Sequence, residues 1–339
     1  MPWTRPLLKY LLIAALFLAL LGLLRFKPWQ QAGPAEKETL AVGFLPVTCH
    51  LTCPVTDFAT QASPLAHYQS QRFTDFPTMV ESIKSGRLQA TFMIVPLAMK
   101  LREQGVPVKI MYLGHREGST IMVRSDSDAK SLRDLRGKVF AIPSKYSNQN
   151  LVVHKLMQDQ GVGADEIRFV ELPPPDMPGA LAARAIDGYF VGEPHAAKAE
   201  LNGTGRVLYH AHDIWPNFIS CALVVHENLL RDKPQLIADL VRGIAESGQW
   251  AETHREQAAK IAAPYFQQDE KLLRFVLSQP GRVSYVNLNP ADSELEKIAA
   301  MALELGVLEQ PVRIADLVDR RFVPAAIKHI ELAAAQAKP

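Results

Sequence analysis

The stretch Val42-Gly-Phe-Leu-Pro-Val-Thr-Cys-His-Leu-Thr-Cys-Pro-Val-Thr-Asp57 sets the reading of the rest of the chain. It continues an apolar run, Leu40 to Phe44, that reads as the first strand of a domain. Pro46 stops that strand. Pro54 suits the start of a helix, since the first helical position has no use for an N–H. Between the two prolines, Thr48, Cys49, His50, Thr52 and Cys53 put five polar or soft side chains in one strand-to-helix loop. In an open α/β sheet ligands bind beyond the carboxyl ends of the strands. A helix start adds free N–H groups and a positive dipole end, both suited to an anion. The alternative is a loop braced by a local disulfide with nothing bound.

Working outward, Asp75–Gly86 carries helix start and stop signals: a capping Asp75, Pro77 in the first turn and Gly86 at the end. Strands follow at Gln89–Val95, Val108–Leu113 and Thr120–Arg124, with a helix at Pro96–Gln104. Residues 39–124 thus alternate strand and helix, the pattern of a parallel sheet covered on both faces. A second alternating unit contains the strand Lys138–Ile142, the polar loop Ser144-Lys-Tyr-Ser-Asn-Gln-Asn150, the helix Leu151–Gln160 and the strand Ile167–Leu172. Its next strand runs into Glu193-Pro194, and Cys221–Val225 closes the unit. From Glu227 onward helices dominate: Pro234–Thr253, Glu256–Tyr265, Glu270–Leu277, Pro290–Glu304 and one near Pro324–Ala335. The expected architecture is α/β with two doubly wound lobes and a helical C-terminal region. The chain would cross between lobes near Arg124–Asp126 and Cys221–Val224. Residues 39–124 with 223–339 then make lobe I, and 125–222 lobe II.

Composition narrows the partner. With 339 residues, 48% of them hydrophobic, 21% charged and a net charge of +2, the chain has no strongly basic character. No Lys/Arg-rich run follows residue 40, so a small molecule is expected and nucleic acid is not. The first 35 residues differ: Arg5 and Lys9 precede Tyr10–Leu24, 15 unbroken apolar residues. That is the length of a signal-peptide core, shorter than the ~20 residues of a free-standing transmembrane helix. Arg25 and Lys27 follow at once, and Gly33-Pro34-Ala35 is the nearest small-residue cleavage site. A cleaved export signal and an uncleaved N-terminal membrane anchor both fit. Either puts the body, expected to be a monomer, in the periplasm or on the extracytoplasmic face of the inner membrane.

Four segments resemble, in order, those of the extracytoplasmic substrate-binding proteins of ABC importers for nitrate, bicarbonate, sulfonates, taurine and thiamine precursors. They are Gly43–Pro46, Ser85–Met93, Asp134–Pro143 and Ala185–Pro194. The resemblance runs from about residue 39 to about residue 310, and the Val-Gly-Glu-Pro form leans toward the nitrate/bicarbonate branch. It implies a bilobed type II periplasmic-binding-protein fold whose lobes close on a ligand by hinge motion. It also implies an ABC permease and ATPase as partners and a cleft lined by Thr48, Cys49, Ser144, Ser147, Asn148 and Glu193. The resemblance implies a small polar or anionic ligand, nitrate/bicarbonate/sulfonate-like or thiamine-precursor-like, and the Cys-His-Leu-Thr-Cys segment is where the chain departs from the nitrate and bicarbonate pattern.

Chemistry gives each candidate two readings. Cys49, His50, Cys53 and Cys221 could place soft ligands around one transition metal; otherwise Cys49–Cys53 or Cys53–Cys221 forms a disulfide bracing the loop, or a free thiol touches an organic ligand. No other cofactor is expected. Glu193, ending a strand before a proline-started helix, either contacts ligand or caps that helix. Ser144, Lys145, Ser147 and Asn148 form an oxyanion cradle or an ordinary N-cap. His50 joins the ligand candidates. Trp215, with His210 and His212 nearby, either stacks on a planar ligand or packs in the core, and His195 reads as a surface helix residue. No nucleophile elbow, phosphate loop or dinucleotide fingerprint is present. The reading is a solute-binding protein rather than an enzyme. The alternatives are a membrane-anchored metal- or thiol-dependent sensor or redox protein, and an enzyme like the thiamine-pyrimidine synthases that share this fold.

Overall fold

A computed structural model describes residues 37–52, 63 and 65–325, together with Tyr10, Ile13, residues 15–21 and Arg25. The described N-terminal residues are helical and exposed. No helix among the described residues is long and apolar enough to cross a membrane. Most of the expected export signal or anchor, the helix from Pro54, Cys53 and the helix near Pro324–Ala335 lie outside the described residues.

The first sheet receives β1 (Glu38–Phe44), β2 (Ala66–Arg72), β3 (Ala90–Ile94) and β4 (Val108–Leu113), with helices α1 (Phe76–Lys84) and α2 (Val95–Glu103) between them. Asp75 accepts the Thr78 N–H at 2.8 Å to start α1, as its sequence position dictates. The chain then passes through β5 (Arg116–Glu117) into β6 (Ser119–Arg124), β7 (Val139–Ile142), α3 (Asn148–Asp159), β8 (Arg168–Glu171), α4 (Met177–Ala182), β9 (Gly188–Gly192), α5 (His195–Leu201) and β10 (Gly205–His210). After α6 (Ala211–Ile214) it returns through β11 (Cys221–His226) to α7 (Glu227–Asp232), α8 (Pro234–Thr253), α9 (Arg255–Phe266) and α10 (Glu270–Ser278). Last come β12 (Val283–Ser284), α11 (Asp292–Glu304) and α12 (Ile314–Leu317).

The strand orders are β2-β1-β3-β11-β4 and β10-β6-β9-β7-β8, with β12 and β5 as a separate pair. All of β3 and all of β9 are buried, as central strands covered on both faces must be.

Both sheets are mixed, where a parallel sheet was expected. β1 runs parallel to β3, and β7 to β8 and β9, but β11 is antiparallel to β3 and β4. β6 is likewise antiparallel to β9 and β10. The reason lies in where the chain crosses. Ser119 begins β6 opposite Gly192, the end of β9, and Cys221 begins β11 opposite Ile94, the end of β3. Each crossing strand enters its new sheet at the carboxyl edge and so must run against its neighbours. This also moves the first crossing upstream of the expected Arg124–Asp126, to between Leu113 and Ser119, because Ser119–Arg124 belongs to the second sheet. Cys221 and Ala222, expected at the end of lobe II, lie in the first sheet.

Candidate functional site

The loops at the carboxyl ends of the two sheets meet. After β1 the chain turns through a single 3₁₀ turn, Thr48–His50, whose residues are all buried. The Thr48 N–H donates to the Glu193 carbonyl at 2.7 Å. His195 Nε2 donates to the Pro46 carbonyl at 3.0 Å, and Tyr285 Oη to the Thr48 carbonyl at 3.0 Å. Gln149 on α3 donates to Ser119 Oγ at 3.1 Å and Ser220 Oγ at 3.2 Å, joining α3 to the first residues of β6 and the residue before β11.

The structure divides the expected ligand residues by occupation. Ser147 is the N-cap of α3: its Oγ accepts the Asn150 N–H at 3.1 Å and donates to the Ser144 carbonyl at 2.6 Å. Ser144 Oγ accepts the Tyr146 N–H at 3.1 Å. Glu193 Oε2 accepts the Ala197 N–H at 2.9 Å, capping α5, while Oε1 accepts from Thr120 Oγ1 at 3.0 Å and Arg282 Nε at 2.7 Å. Both carboxylate oxygens are thus engaged by protein. His195, read as a surface residue, is 1% exposed, because α5 packs its first turn under the Pro46 loop.

Other buried polar atoms have no hydrogen-bond partner among the described residues: His50 Nε2, His115 Nδ1, Asn148 Oδ1, Gln149 Oε1 and His195 Nδ1. Asn148, alone of these five, also lines a cavity of about 310 Å³, with Val152, Trp215, Phe218, Glu294 and Lys297 among the other lining residues. Two residues expected from sequence, Asn148 and Trp215, therefore line one cavity, while Thr48, Cys49 and Glu193 do not. Lys297 Nζ stands 4.1 Å from the Trp215 ring centroid, and Lys297 has no carboxylate partner among the described residues. Glu294 is already held by Arg116 through two contacts of 2.7 and 3.0 Å. The cavity is thus walled by an aromatic ring and carries one uncompensated cation.

The soft cluster forms in part. Cys49, His50 and Cys221 each offer a ligand atom, all within 4.8 Å of one another and all buried. The Cys49 and Cys221 sulfurs are 2.7 Å apart as free thiols. Burial alone would raise the Cys221 thiol, but the hydrogen bond from Cys49 and the nearby His50 ring outweigh it and bring Cys221 down to about 5. Burial and the Cys221 sulfur hold Cys49 well above the ordinary thiol value. His115, Gln149, Arg282, Tyr285 and Lys297 were not found from sequence. His115 alone had a visible signal, a histidine two residues past the end of a buried strand.

The sequence profile of the NMT1-like family matches residues 33–265. A nitrate import ATP-binding protein of Synechocystis sp. is 26% identical over 242 residues, 66% of this chain but only 36% of that relative's length. A putative aliphatic sulfonates-binding protein of Escherichia coli is 23% identical over 91% of this chain and 93% of its own. Among solved structures, the ligand-binding component of an ABC-type import system from Staphylococcus aureus with zinc bound superposes with a TM-score of 0.78. It is 26% identical over 85% of this chain and 98% of that one. The solved structures of like fold are mostly binding proteins, and a desulfurization enzyme is also among them.

Proposed function

The chain belongs to the NMT1-like family, and on that footing we propose that it is the extracytoplasmic solute-binding component of an ABC importer, taking a small anion between its two lobes. The observation that carries the anionic reading is the cavity of about 310 Å³ beside the seam of the two sheets, with Lys297 over Trp215 and Asn148 at the start of α3. Its size lies in the range of small-molecule sites, roughly 300–1,000 Å³. A single cation and an amide suit an oxyanion, and the indole suits an apolar tail attached to it. Nitrate, bicarbonate or an alkanesulfonate, the cargoes that relatives' names suggest, share that chemistry. Binding alone is the proposed activity, with lobe opening and closure presenting the loaded form to a permease.

The test is thermal unfolding of the full chain with nitrate, bicarbonate or an alkanesulfonate, alongside a search for altered product. The binding reading expects one anion to raise stability by about RT ln(1 + [L]/Kd) and to be recovered unchanged. No shift with any of the three, or conversion of the one that binds, overturns it.

A further inference from the structure

The hydrogen bonds around His50 fix which of its nitrogens bears hydrogen. Nδ1 accepts the Leu45 backbone N–H at 2.7 Å. A peptide N–H can only donate, so Nδ1 presents its lone pair and the neutral ring carries its proton on Nε2. A metal held through Nε2 would need that proton on Nδ1, facing another N–H. Two thiolates on one zinc ion also stand roughly 3.8 Å apart, given metal–sulfur bonds of ~2.3 Å in tetrahedral geometry. The 2.7 Å between the Cys49 and Cys221 sulfurs is well short of that. The donor set therefore does not fit a resident metal ion as it stands.

The backbone is built to bring these two sulfurs together. Gly114, just past β4, donates its N–H to the Cys221 carbonyl at 3.0 Å. A Cβ on Gly114 would lie 1.8 Å from the Cys49 carbonyl oxygen. Only a bare backbone at this position allows both cysteine segments to lean on it. The pair joins residues 172 apart in sequence and is 2% and 1% exposed.

We propose that Cys49 and Cys221 are a thiol–disulfide site, their sulfurs brought together where both cysteine segments lean on the bare backbone of Gly114. The oxidant is a disulfide, RS–SR. The Cys221 thiolate attacks one of its sulfurs, forming Cys221–S–S–R and releasing RS⁻. Cys49 gives up its proton, and its sulfur attacks the Cys221 sulfur, closing the Cys49–Cys221 bond and expelling the second RS⁻. Two protein thiols are oxidised, one disulfide is reduced to two thiols, and the two protons end on the two released sulfurs. The bridge ties the turn after β1 to the first residue of β11. The neighbours Ile219 and Ser220 are the ones held by Asn148 and Gln149, so the bond lies under the return crossing between the sheets.

The experiment uses the full chain, reduced and then treated with oxidised glutathione, digested without reductant and analysed by mass spectrometry. The expected product is a Cys49–Cys221 linked peptide, two hydrogens lighter, in the native protein and in Cys53→Ser, and lost in Cys221→Ser. Gly114→Ala should slow its formation at least tenfold while circular dichroism stays native. The proposal is overturned if the bridge forms through Cys53, or if Cys49 and Cys221 stay alkylatable in folded Cys53→Ser. Retention of one zinc or copper ion per chain with all three thiols reduced overturns it equally. None of these outcomes bears on whether an anion binds.

Discussion

The Arg282 guanidinium meets the Glu193 carboxylate at 2.6 Å, with the two side chains 2% and 0% exposed. Arg282 also reaches Glu200 at 2.9 Å and lies over the Phe275 ring at 5.4 Å. The pair fastens the end of β9 in the second sheet to the segment after α10. A buried ion pair gains little over apolar packing, but removing one partner strands the other charge. Glu193→Gln or Arg282→Met should therefore cost about 3–5 kcal/mol in urea unfolding. The double variant should cost clearly less than the sum of the two, since the second change removes the stranded charge. Additive losses would mean that the two side chains act separately.

Gly114 should accept a side chain only at a cost in stability. Its Cβ would meet a backbone oxygen, which cannot swing aside as a side chain would. Gly114→Ala is expected to destabilise by about 1–3 kcal/mol through overpacking. Gly86→Ala, at a left-handed φ of 72° with nothing within 4 Å, is the control for backbone strain alone. Equal losses in urea unfolding for the two variants would mean that backbone strain alone, and not the approach to the Cys49 carbonyl, sets the cost at Gly114.

Two buried histidines make stability depend on pH. Burial, helped by the neighbouring His50, pushes His115 down to about 3. Burial, with the charges of Lys198 and Arg72, does the same to His195 against the upward pull of the Pro46 carbonyl, also to about 3. In the unfolded chain both take a proton near pH 6.5. Between about pH 6.5 and 3 the unfolded state thus binds more protons than the folded one, and stability rises with pH. The stability is fully present above pH 6.5 and is lost as the pH falls below it, by up to about 1.4 kcal/mol per pH unit for each histidine. Urea midpoints at pH 7.5, 6.5, 5.5 and 4.5 should show His195→Gln losing less than the native chain, by about one proton. Parallel profiles would mean that His195 does not stay neutral in the fold.

Lys297 and Trp215 should divide the work of binding. Lys297→Ala removes the cavity's uncompensated cation and should weaken an anion by roughly ten- to a hundredfold, the size of a lost charge-assisted hydrogen bond. Trp215→Ala should weaken an alkanesulfonate more than nitrate, because only the former offers apolar surface to the ring. Titration calorimetry with both anions separates the two effects. Unchanged affinities in Lys297→Ala would move the site out of this cavity.

The sequence by itself determined the alternation of strands and helices, the polar loops after β1 and β7, and the segments that place the chain in its family. These are local signals: a run of apolar residues bounded by prolines, or a capping Asp75 with Pro77 and Gly86, has the same meaning wherever it lies. β2 escaped because an edge strand needs few apolar residues, and Ala66 and Tyr68 alone turn inward fully. Tertiary structure decided what is non-local. The directions of β6 and β11 follow from where the chain crosses between sheets, which no periodicity records. The pairing of Cys49 with Cys221, of Glu193 with Arg282 and of Trp215 with Lys297 joins residues 172, 89 and 82 positions apart. Such contacts arise only when the two sheets present their carboxyl ends to one seam. There the Glu193 carboxylate, a ligand candidate by sequence, meets Arg282 instead.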